Sequence, residues 1–278
     1  MSATNGNSDK FSKLPELVKP RHYDITLKPD LTNFTFEGHE TIKLEVVKPT
    51  NFLKFHSSEI VISEASAKTS EGAEWSNLPI EYDSKWMTVT LRLPEEVAKG
   101  DVTLTLKFTG VLNDKMHGFY RSSYKAADGT QRYLASTQFE STYARLSFPC
   151  WDEPLYKATF DVTLVVDEHL TALSNMGVVS ENVGDGKKTV KYGTTPIMST
   201  YLVAFVVGEF DYVESQTKGG VAMRVYSVPG KKEQGEFALE LATRAIEWYN
   251  EWFGIDYPLP KCDLIAIPDF SMGIYLFL

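Results

Sequence analysis

The stretch Tyr23-Asp24-Ile25-Thr26-Leu27 carries an apolar side chain at every second position. Side chains of a β-strand point alternately to its two faces, so this pattern predicts a strand with one buried face. The same alternation returns in residues 42–46, 86–91 and 102–106, and residues 160–166, 189–192 and 201–207 are rich in β-branched and aromatic residues. Turn residues at 28–30, 98–101, 128–129 and 184–186 separate these runs. We therefore predict a mostly β fold, a sandwich or curved antiparallel sheet, over residues 14–215.

The pattern changes after about residue 215. Residues 221–228 predict a short strand that ends at Pro229-Gly230. Apolar residues at steps of three and four then predict a helix over about 233–253; they are Phe237, Leu241, Ala245, Trp248 and Trp252. Gly254 stands where a left-handed cap would end that helix, and residues 262–267 predict another strand. We predict a disordered leader over 1–13, a β domain over 14–215, and the start of an α/β domain over 216–278.

Composition excludes several classes of function. Lys and Arg number 28 against 37 Asp and Glu, a net charge of −9 with no basic stripe, so we expect no nucleic-acid partner. The longest apolar run, residues 201–208, is far shorter than the roughly 20 residues that cross a bilayer, so we expect no membrane partner. The first ten residues lack the apolar stretch of a signal peptide, and two cysteines cannot form a disulfide framework. We expect a cytoplasmic location.

The sequence contains no recognisable catalytic or metal-binding motif. A zinc peptidase needs His-Glu-x-x-His on a helix, but the single His-Glu pair, His39-Glu40, has Lys43 at the second histidine position and lies in a strand pattern. The other histidines, at positions 22, 56, 117 and 169, are predicted to be surface or strand-edge residues. The adjacent carboxylates Asp152 and Glu153 are predicted to cap or form salt bridges rather than act as acid and base. We predict no catalytic residue and no metal ligand.

One segment differs in texture from the strands around it. Residues 137–154 read TQFESTYARLSFPCWDEP, polar residues with fixed apolar and proline anchors and no clean periodicity. A loop held in shape for a function would have this composition, and so would a β-to-β crossover closed by a proline-bounded plug. Residue types alone leave these two interpretations about equal.

The same segment resembles the Thr-Gln-x-Glu…Ala-Arg…Phe-Pro-Cys-Trp-Asp-Glu-Pro signature of the aminopeptidase N family of zinc metallopeptidases, especially its cytosolic puromycin-sensitive and fungal members. The resemblance extends from Pro20-Arg21-His22-Tyr23-Asp24 to residues 263–270, and so covers nearly the whole chain. It implies a saddle-shaped antiparallel β-sandwich domain, followed by the truncated start of an α/β thermolysin-like domain. This partition agrees with the boundary indicated by periodicity.

The resemblance also implies roles for three residues. Glu140 matches the glutamate that binds the free α-ammonium of the substrate, and Gln138 matches the glutamine beside it. Gly273 matches the first glycine of a Gly-Ala-Met-Glu-Asn stretch whose backbone binds the peptide. The rest of that stretch is absent here, because the chain continues as Ile274-Tyr275-Leu276-Phe277-Leu278. Tyr143 and Leu146 also depart from the family, which usually has Asp and often has Arg at these positions.

Two hypotheses about function therefore remain open. The first is the amino-terminal portion of a zinc aminopeptidase, inactive as given because it lacks the zinc site, although the full-length family uses zinc. The second is a non-catalytic module that binds peptides or another protein. Under either hypothesis we expect no cofactor in this chain, and peptides with a free amino terminus as partners that bind weakly at best.

Overall fold

The residues that alternate in the sequence form the strands of the computed structural model, which describes residues 12–270. In β1 the side chains of Tyr23, Ile25 and Leu27 are fully buried, while their neighbours face outward. The first ten strands are β1 (Val18–Asp30), β2 (Thr35–Val46), β3 (Thr50–His56), β4 (Val61–Thr69), β5 (Glu74–Trp75), β6 (Ile80–Asp83), β7 (Thr88–Val97), β8 (Gly100–Val111), β9 (Gly118–Lys125) and β10 (Gln131–Gln138). The remaining strands are β11 (Thr159–Asp167), β12 (Thr171–Ser174), β13 (Val178–Gly184), β14 (Lys187–Tyr192), β15 (Phe205–Gly208), β16 (Asp211–Gln216), β17 (Ala222–Ser227) and β18 (Lys261–Ile265).

The strands form four sheets. An eight-stranded sheet has the order β13-β14-β11-β1-β2-β8-β4-β5, a four-stranded sheet has the order β12-β15-β10-β9, and three-stranded sheets run β3-β7-β6 and β16-β17-β18. Most pairings are antiparallel, as predicted, but β1 pairs with β11 in parallel and β17 pairs with β18 in parallel. One large core from Leu14 to Val207 joins the first, second and β3-β7-β6 sheets. The predicted mostly β fold is confirmed.

A helix follows the β portion at nearly the predicted place. It is α1, Glu236–Phe253, and it is preceded by a 3₁₀ turn over Lys232–Gly235. Gly254 ends it in the left-handed conformation, with φ of 63°, as expected for a glycine cap. The side chains that the helix buries against β16 and β17 are Leu239, Ala242 and Ile246. The larger apolar side chains of the predicted stripe are exposed, with Trp252 at 69%.

The helix, β16, β17 and β18 surround a second, smaller core that includes Met223 and Cys262. A third apolar cluster joins this unit to the four-stranded sheet: Leu173 and Val206 of the sheet contact Tyr226 of β17, and Ile265 and Ile267 pack against them. The boundary at residue 216 and the leader over 1–13 stay proposals. In the structure, the sheet of the second unit includes Asp211–Gln216, and Leu14 is already buried.

Three predicted local features are wrong. The first turn lies after Asp30 rather than at 28–30, because the Asp30 carboxylate accepts hydrogen bonds from the amides of Thr32 and Asn33 and so builds the turn there. Strand β7 begins at Thr88, since Met87 has a φ of 52°, in the left-handed region and outside the β region. Residues 201–207 do not form one strand, because a 3₁₀ turn occupies Thr200–Leu202 before β15.

Across residues 12–270, no helix combines the length and apolar character that a membrane crossing requires.

Candidate functional site

The candidate site lies where strand β10 ends. Gln138, the last residue of the strand, is 4% exposed, and its side-chain amide Nε2 donates a hydrogen bond of 3.1 Å to the backbone oxygen of Glu140. Phe139 is buried between Phe148 and Phe205 in edge-to-face contacts. The Glu140 carboxylate is exposed. The two buried residues that precede Glu140, Gln138 and Phe139, therefore anchor the chain where the exposed carboxylate begins.

Behind Glu140 the chain forms a buried plug, defined here as residues 144–152. Its 3₁₀ turn, Ala144–Leu146, carries Arg145 into the interior. The Arg145 guanidinium donates through Nε to Asp152 Oδ2 at 2.9 Å and through Nη2 to the Asp152 backbone oxygen at 3.0 Å. Their side chains are only 6% and 2% exposed, so this ion pair is excluded from water. The predicted salt-bridge role of Asp152 is confirmed. Glu153 accepts a hydrogen bond from the amide of Leu14.

His56 holds the other side of the plug, and its predicted surface position is wrong. It is 3% exposed at the end of β3, where its backbone exchanges hydrogen bonds with Cys150 at 2.8 and 3.0 Å. Its Nδ1 accepts a hydrogen bond from the amide of Asp152 at 3.2 Å, a role that requires a neutral ring nitrogen. Burial, with Arg145 and Lys54 nearby, lowers the pKa of His56 to about 3. The ring is therefore neutral at physiological pH.

The remaining titratable groups of the plug are also insulated from solvent. Burial raises the pKa of the Cys150 thiol well above its ordinary value, and Asp152 nearby adds to that shift. A thiol with a raised pKa is a poor nucleophile, so Cys150 has a packing role. Burial raises the pKa of the Asp152 carboxyl, and the guanidinium of Arg145 opposes that shift. Trp151 is 1% exposed and donates its backbone amide to the hydroxyl of Tyr23. Nothing in the plug is positioned for nucleophilic chemistry.

The two positions that depart from the aminopeptidase pattern lie against β9. Gly118, which pairs with Gln138, has a φ of 68°, and a Cβ there would lie 2.6 Å from the Cβ of Leu146. Only glycine allows this close approach of the strand to the plug. Tyr143 is 38% exposed and stacks on the ring of His117 with centroids 4.6 Å apart. An aromatic pair therefore joins the turn after β10 to the segment just before β9.

The second unit approaches the candidate site through Asp269. The Tyr120 hydroxyl donates to its backbone oxygen at 2.8 Å, and its carboxylate accepts from Ser122 Oγ and the Ser123 amide at 3.0 Å each. Tyr120 lies opposite Ser136 in the β9–β10 pairing, two residues before Gln138, so these side chains share one face of the sheet. The contact between Asp269 and β9 therefore joins the second unit to the four-stranded sheet that contains Gln138.

The predicted site residues are only partly brought together in the described structure. Gln138 and Glu140 lie side by side, whereas Gly273 lies outside the described residues. The resemblance also implies that Gln138 and Glu140 lie near residues 269–273, and Asp269 contacts β9, the strand that pairs with β10. Tyr120 and Ser122 were not predicted as residues of the site. Among residues 12–270, no three His, Cys, Asp or Glu side chains come together as metal ligands.

Comparison with known protein families gives two matches. Residues 19–202 match the peptidase M1 N-terminal domain, and residues 237–274 match the peptidase family M1 domain. The chain is 57% identical over 266 residues to the puromycin-sensitive aminopeptidase of Caenorhabditis elegans, an alignment that covers 95% of this chain and 28% of that protein.

Two further relatives extend the comparison. The chain is 44% identical over 265 residues to aminopeptidase M1 of Arabidopsis thaliana, covering 94% of this chain and 30% of the relative. It is 43% identical over 265 residues to "Aminopeptidase 2, mitochondrial" of Saccharomyces cerevisiae, covering 94% and 27%. The chain therefore spans less than a third of the length of these relatives.

Proposed function

The chain belongs to peptidase family M1, and from this premise we propose that it is the amino-terminal part of an aminopeptidase that removes residues from the amino ends of peptides. The observation that carries the proposal is the exposed carboxylate of Glu140, held beside the buried Gln138 at the end of β10. A carboxylate in this position pairs with a charged α-ammonium and not with an internal peptide nitrogen. The named relatives, all of them aminopeptidases, support the same reaction class.

In this proposal the chain's own residues bind and orient the substrate. The Glu140 carboxylate accepts hydrogen bonds from the substrate ammonium. Gln138 keeps the backbone of Glu140 in place through its 3.1 Å hydrogen bond and has its side chain beside the first substrate residue. Gly273 is proposed as a backbone contact for the peptide. Fixing the amino end sets which peptide bond lies next to the catalytic centre of a longer protein.

Family M1 implies a zinc ion, which supplies an activated water when it is bound. The described residues do not fit that ion, since no suitable ligand group comes together among them, and no step of the reaction is derived through it. We propose that residues 1–278 alone bind no stoichiometric zinc and cleave no peptide. A surface ion pair contributes on the order of 1 kcal/mol, whereas millimolar binding needs roughly 4 kcal/mol, so peptides with a free amino terminus should bind this chain weakly.

We propose a cytoplasmic location, supported by two free buried cysteines, Cys150 and Cys262. We propose neither a nucleic-acid nor a membrane partner, because the net charge is −9 and no basic stripe is present. The printed name of the yeast relative places that protein in mitochondria. Fractionation of cells that express the tagged full-length gene product decides the compartment, and co-purification with mitochondria would overturn the cytoplasmic proposal.

A hybrid enzyme tests the amine-binding role of Glu140. In it, residues 1–270 replace the matching part of the nematode relative, which is 57% identical over the aligned residues, so that the relative's own peptide-binding stretch is kept. Glu140→Gln keeps the shape of the side chain and removes its charge, so kcat/KM for an aminoacyl arylamide should fall about tenfold or more, mainly through KM. Glu95→Gln, at an exposed carboxylate on β7 in a different sheet, is the matched control and should change nothing.

Two outcomes would contradict the proposal. Unchanged kinetics in Glu140→Gln would remove Glu140 from amine recognition. Micromolar binding of a free-amine peptide to the 278-residue chain without cleavage, measured by calorimetry, would favour a non-catalytic peptide-binding module instead. Transcript sequence beyond codon 278 is a further test: an in-frame His-Glu-x-x-His there supports the peptidase.

A further inference from the structure

The last described segment of the chain crosses the outer face of the four-stranded sheet from one edge to the other. At its start, Lys261 Nζ donates to the backbone oxygen of Ser174, at the end of edge strand β12, over 2.8 Å. In its middle, Ile265 and Ile267 pack on the cluster that includes Val206 of β15. At its end, Asp269 binds β9, the opposite edge strand. We call residues 261–269 the strap.

The contacts of Asp269 are unusually complete for one residue. Its carboxylate Oδ2 accepts from Ser122 Oγ and from the Ser123 amide, both at 3.0 Å. Its own amide lies 3.0 Å from Ser122 Oγ, and its backbone oxygen accepts from the Tyr120 hydroxyl at 2.8 Å. These four hydrogen bonds all join Asp269 to three residues of β9, namely Tyr120, Ser122 and Ser123. The partners are about 147 residues away in sequence.

The chemistry of this contact favours an acidic residue. Strand β9 is the last strand of its sheet, so the Ser123 amide that meets Asp269 lies on an edge without a neighbouring strand in that sheet. Two donors converge on one carboxylate oxygen, an arrangement that a negative charge strengthens and that an apolar residue cannot reproduce. The end of the strap is therefore fixed to β9 by charge-assisted hydrogen bonds.

We propose that Asp269 is a positioning residue for amine recognition: by fixing the end of the strap to β9, it holds the second unit against the sheet whose strand β10 ends at Gln138, two residues before Glu140. The inference rests on the proposed function, because it assigns Asp269 a role in the site where Glu140 binds the substrate ammonium. Asp269 itself touches neither Glu140 nor the proposed substrate position. It acts through the placement of the second unit on the four-stranded sheet that ends in Gln138.

The contact itself can be measured in the 278-residue chain. Hydrogen exchange of the Ser123 amide, which donates to Asp269, should accelerate about tenfold or more in Asp269→Ala and only slightly in Asp269→Asn, whose side-chain oxygen still accepts. Asp83→Ala is the matched control, since Asp83 also accepts a backbone amide, that of Lys85, but at the end of β6 in a different sheet. Ser122→Ala removes the partner hydroxyl without changing Asp269, and it serves if Asp269→Ala does not fold.

The functional role is measured in the hybrid enzyme by a double-mutant cycle with Glu140→Gln. Asp269→Ala should raise KM for an aminoacyl arylamide about fivefold or more with a smaller change in kcat, and Asp269→Asn should restore most of the loss. If Asp269 acts through the amine site, the substitution should add little in the Glu140→Gln background.

The outcomes separate the two proposals. Full additivity of Asp269→Ala and Glu140→Gln, or a loss confined to thermal stability, would overturn the positioning role while leaving Glu140 in place. No effect of Glu140→Gln would overturn the proposed function itself. Unchanged exchange at Ser123 in Asp269→Ala would show that the strap is held without Asp269.

Discussion

Glu40 should make the stability of the chain depend on pH in a direction opposite to that of most carboxylates. It lies on β2 with 0% exposure, between Ile25 of β1 and Leu106 of β8, and neither carboxylate oxygen has a hydrogen-bond partner within the described structure. Burial without a partner disfavours the charged form, so the pKa of Glu40 is raised well above its ordinary value of 4.5. The folded chain therefore holds this proton over a pH range in which the unfolded chain has lost it.

The magnitude follows from proton linkage. Between 4.5 and the folded-state pKa of Glu40, the folded state binds one more proton, so the free energy of unfolding falls by about 1.4 kcal/mol per pH unit as pH rises. His56 acts in the opposite direction: its pKa is lowered from 6.5 to about 3, so unfolding takes up a proton and stability rises with pH over that interval. From pH 4.5 to 6.5 the two slopes oppose each other, which hides both in the parent chain.

Glu40→Gln removes the fall in stability with pH that Glu40 causes and leaves the rise in stability with pH that His56 causes. We expect the variant to gain stability relative to the parent chain by about 1.4 kcal/mol per pH unit, starting near pH 4.5. Urea unfolding at pH 5 to 8, followed by far-UV circular dichroism, measures it. Glu37→Gln, an exposed carboxylate on the same strand, is the control. Parallel pH profiles for Glu40→Gln and the parent chain would refute the reasoning, because they would show that Glu40 is ionised in the folded state.

Three further predictions concern the plug, the metal and the helix. Arg145→Ala should destabilise the chain by about 3 to 5 kcal/mol in urea unfolding, because it leaves Asp152 as an uncompensated buried charge. The control Arg92→Ala, which breaks the exposed ion pair with Glu81, should cost less than about 1 kcal/mol. Equal losses of stability in the two variants would contradict this distinction between buried and exposed pairs. Metal analysis of the purified chain should find no stoichiometric zinc, and one zinc per chain that survives mild chelation would contradict this. The double variant Trp248→Lys, Trp252→Lys should show less self-association by light scattering, because both rings are exposed. Its free energy of unfolding should fall by no more than about 1 kcal/mol. A larger destabilisation would show that the two rings are packed in the folded chain.

Periodicity predicted the architecture because burial in a sheet is a local, repeating property. Tyr23, Ile25 and Leu27 are buried as their alternation required, and α1 ends at the predicted glycine. The same logic contained an unused signal: Glu40 is in phase with Ile42 and with the other buried positions of β2, so its burial could have been predicted. A carboxylate is rarely buried, so residue type argues for exposure at this position, but the strand period decides it and Glu40 is buried.

The helix shows a different limit of periodicity. Its sequence has two apolar stripes, and the larger side chains, such as Trp248 and Trp252, mark the face that is exposed. The face packed against β16 and β17 carries the smaller Leu239, Ala242 and Ile246, which allow the helix to approach the sheet closely. A hydrophobic pattern reports how many apolar faces a helix has. It does not report which of them a given neighbour covers.

The candidate site could not be predicted from local sequence periodicity, because the contacts that hold it in place join distant parts of the chain. His56 meets Cys150 and Asp152, and Asp269 meets β9, across roughly 90 to 150 positions. Apart from the single β-bridge between His56 and Cys150, these contacts use side chains and not strand pairing, so neither period two nor period 3.6 carries information about them. The resemblance pointed to Gln138 and Glu140, whose roles stay a proposal, but it gave no sign that a neutral buried histidine, His56, supports the plug.

The exposed position of Glu140 depends on what is buried behind it. A surface carboxylate does not fix its own location. The turn that follows β10 places it, and this turn is closed by a backbone hydrogen bond of 2.8 Å from the Tyr143 amide to the Phe139 oxygen. A buried ion pair contributes little net stability compared with apolar packing, but its geometry permits few arrangements, because Arg145 must meet both the carboxylate and the backbone oxygen of Asp152. We infer that the charged pair is present for its directionality. Under the proposed function, the placement of the amine-binding carboxylate of Glu140 then depends on buried residues that do not contact the substrate.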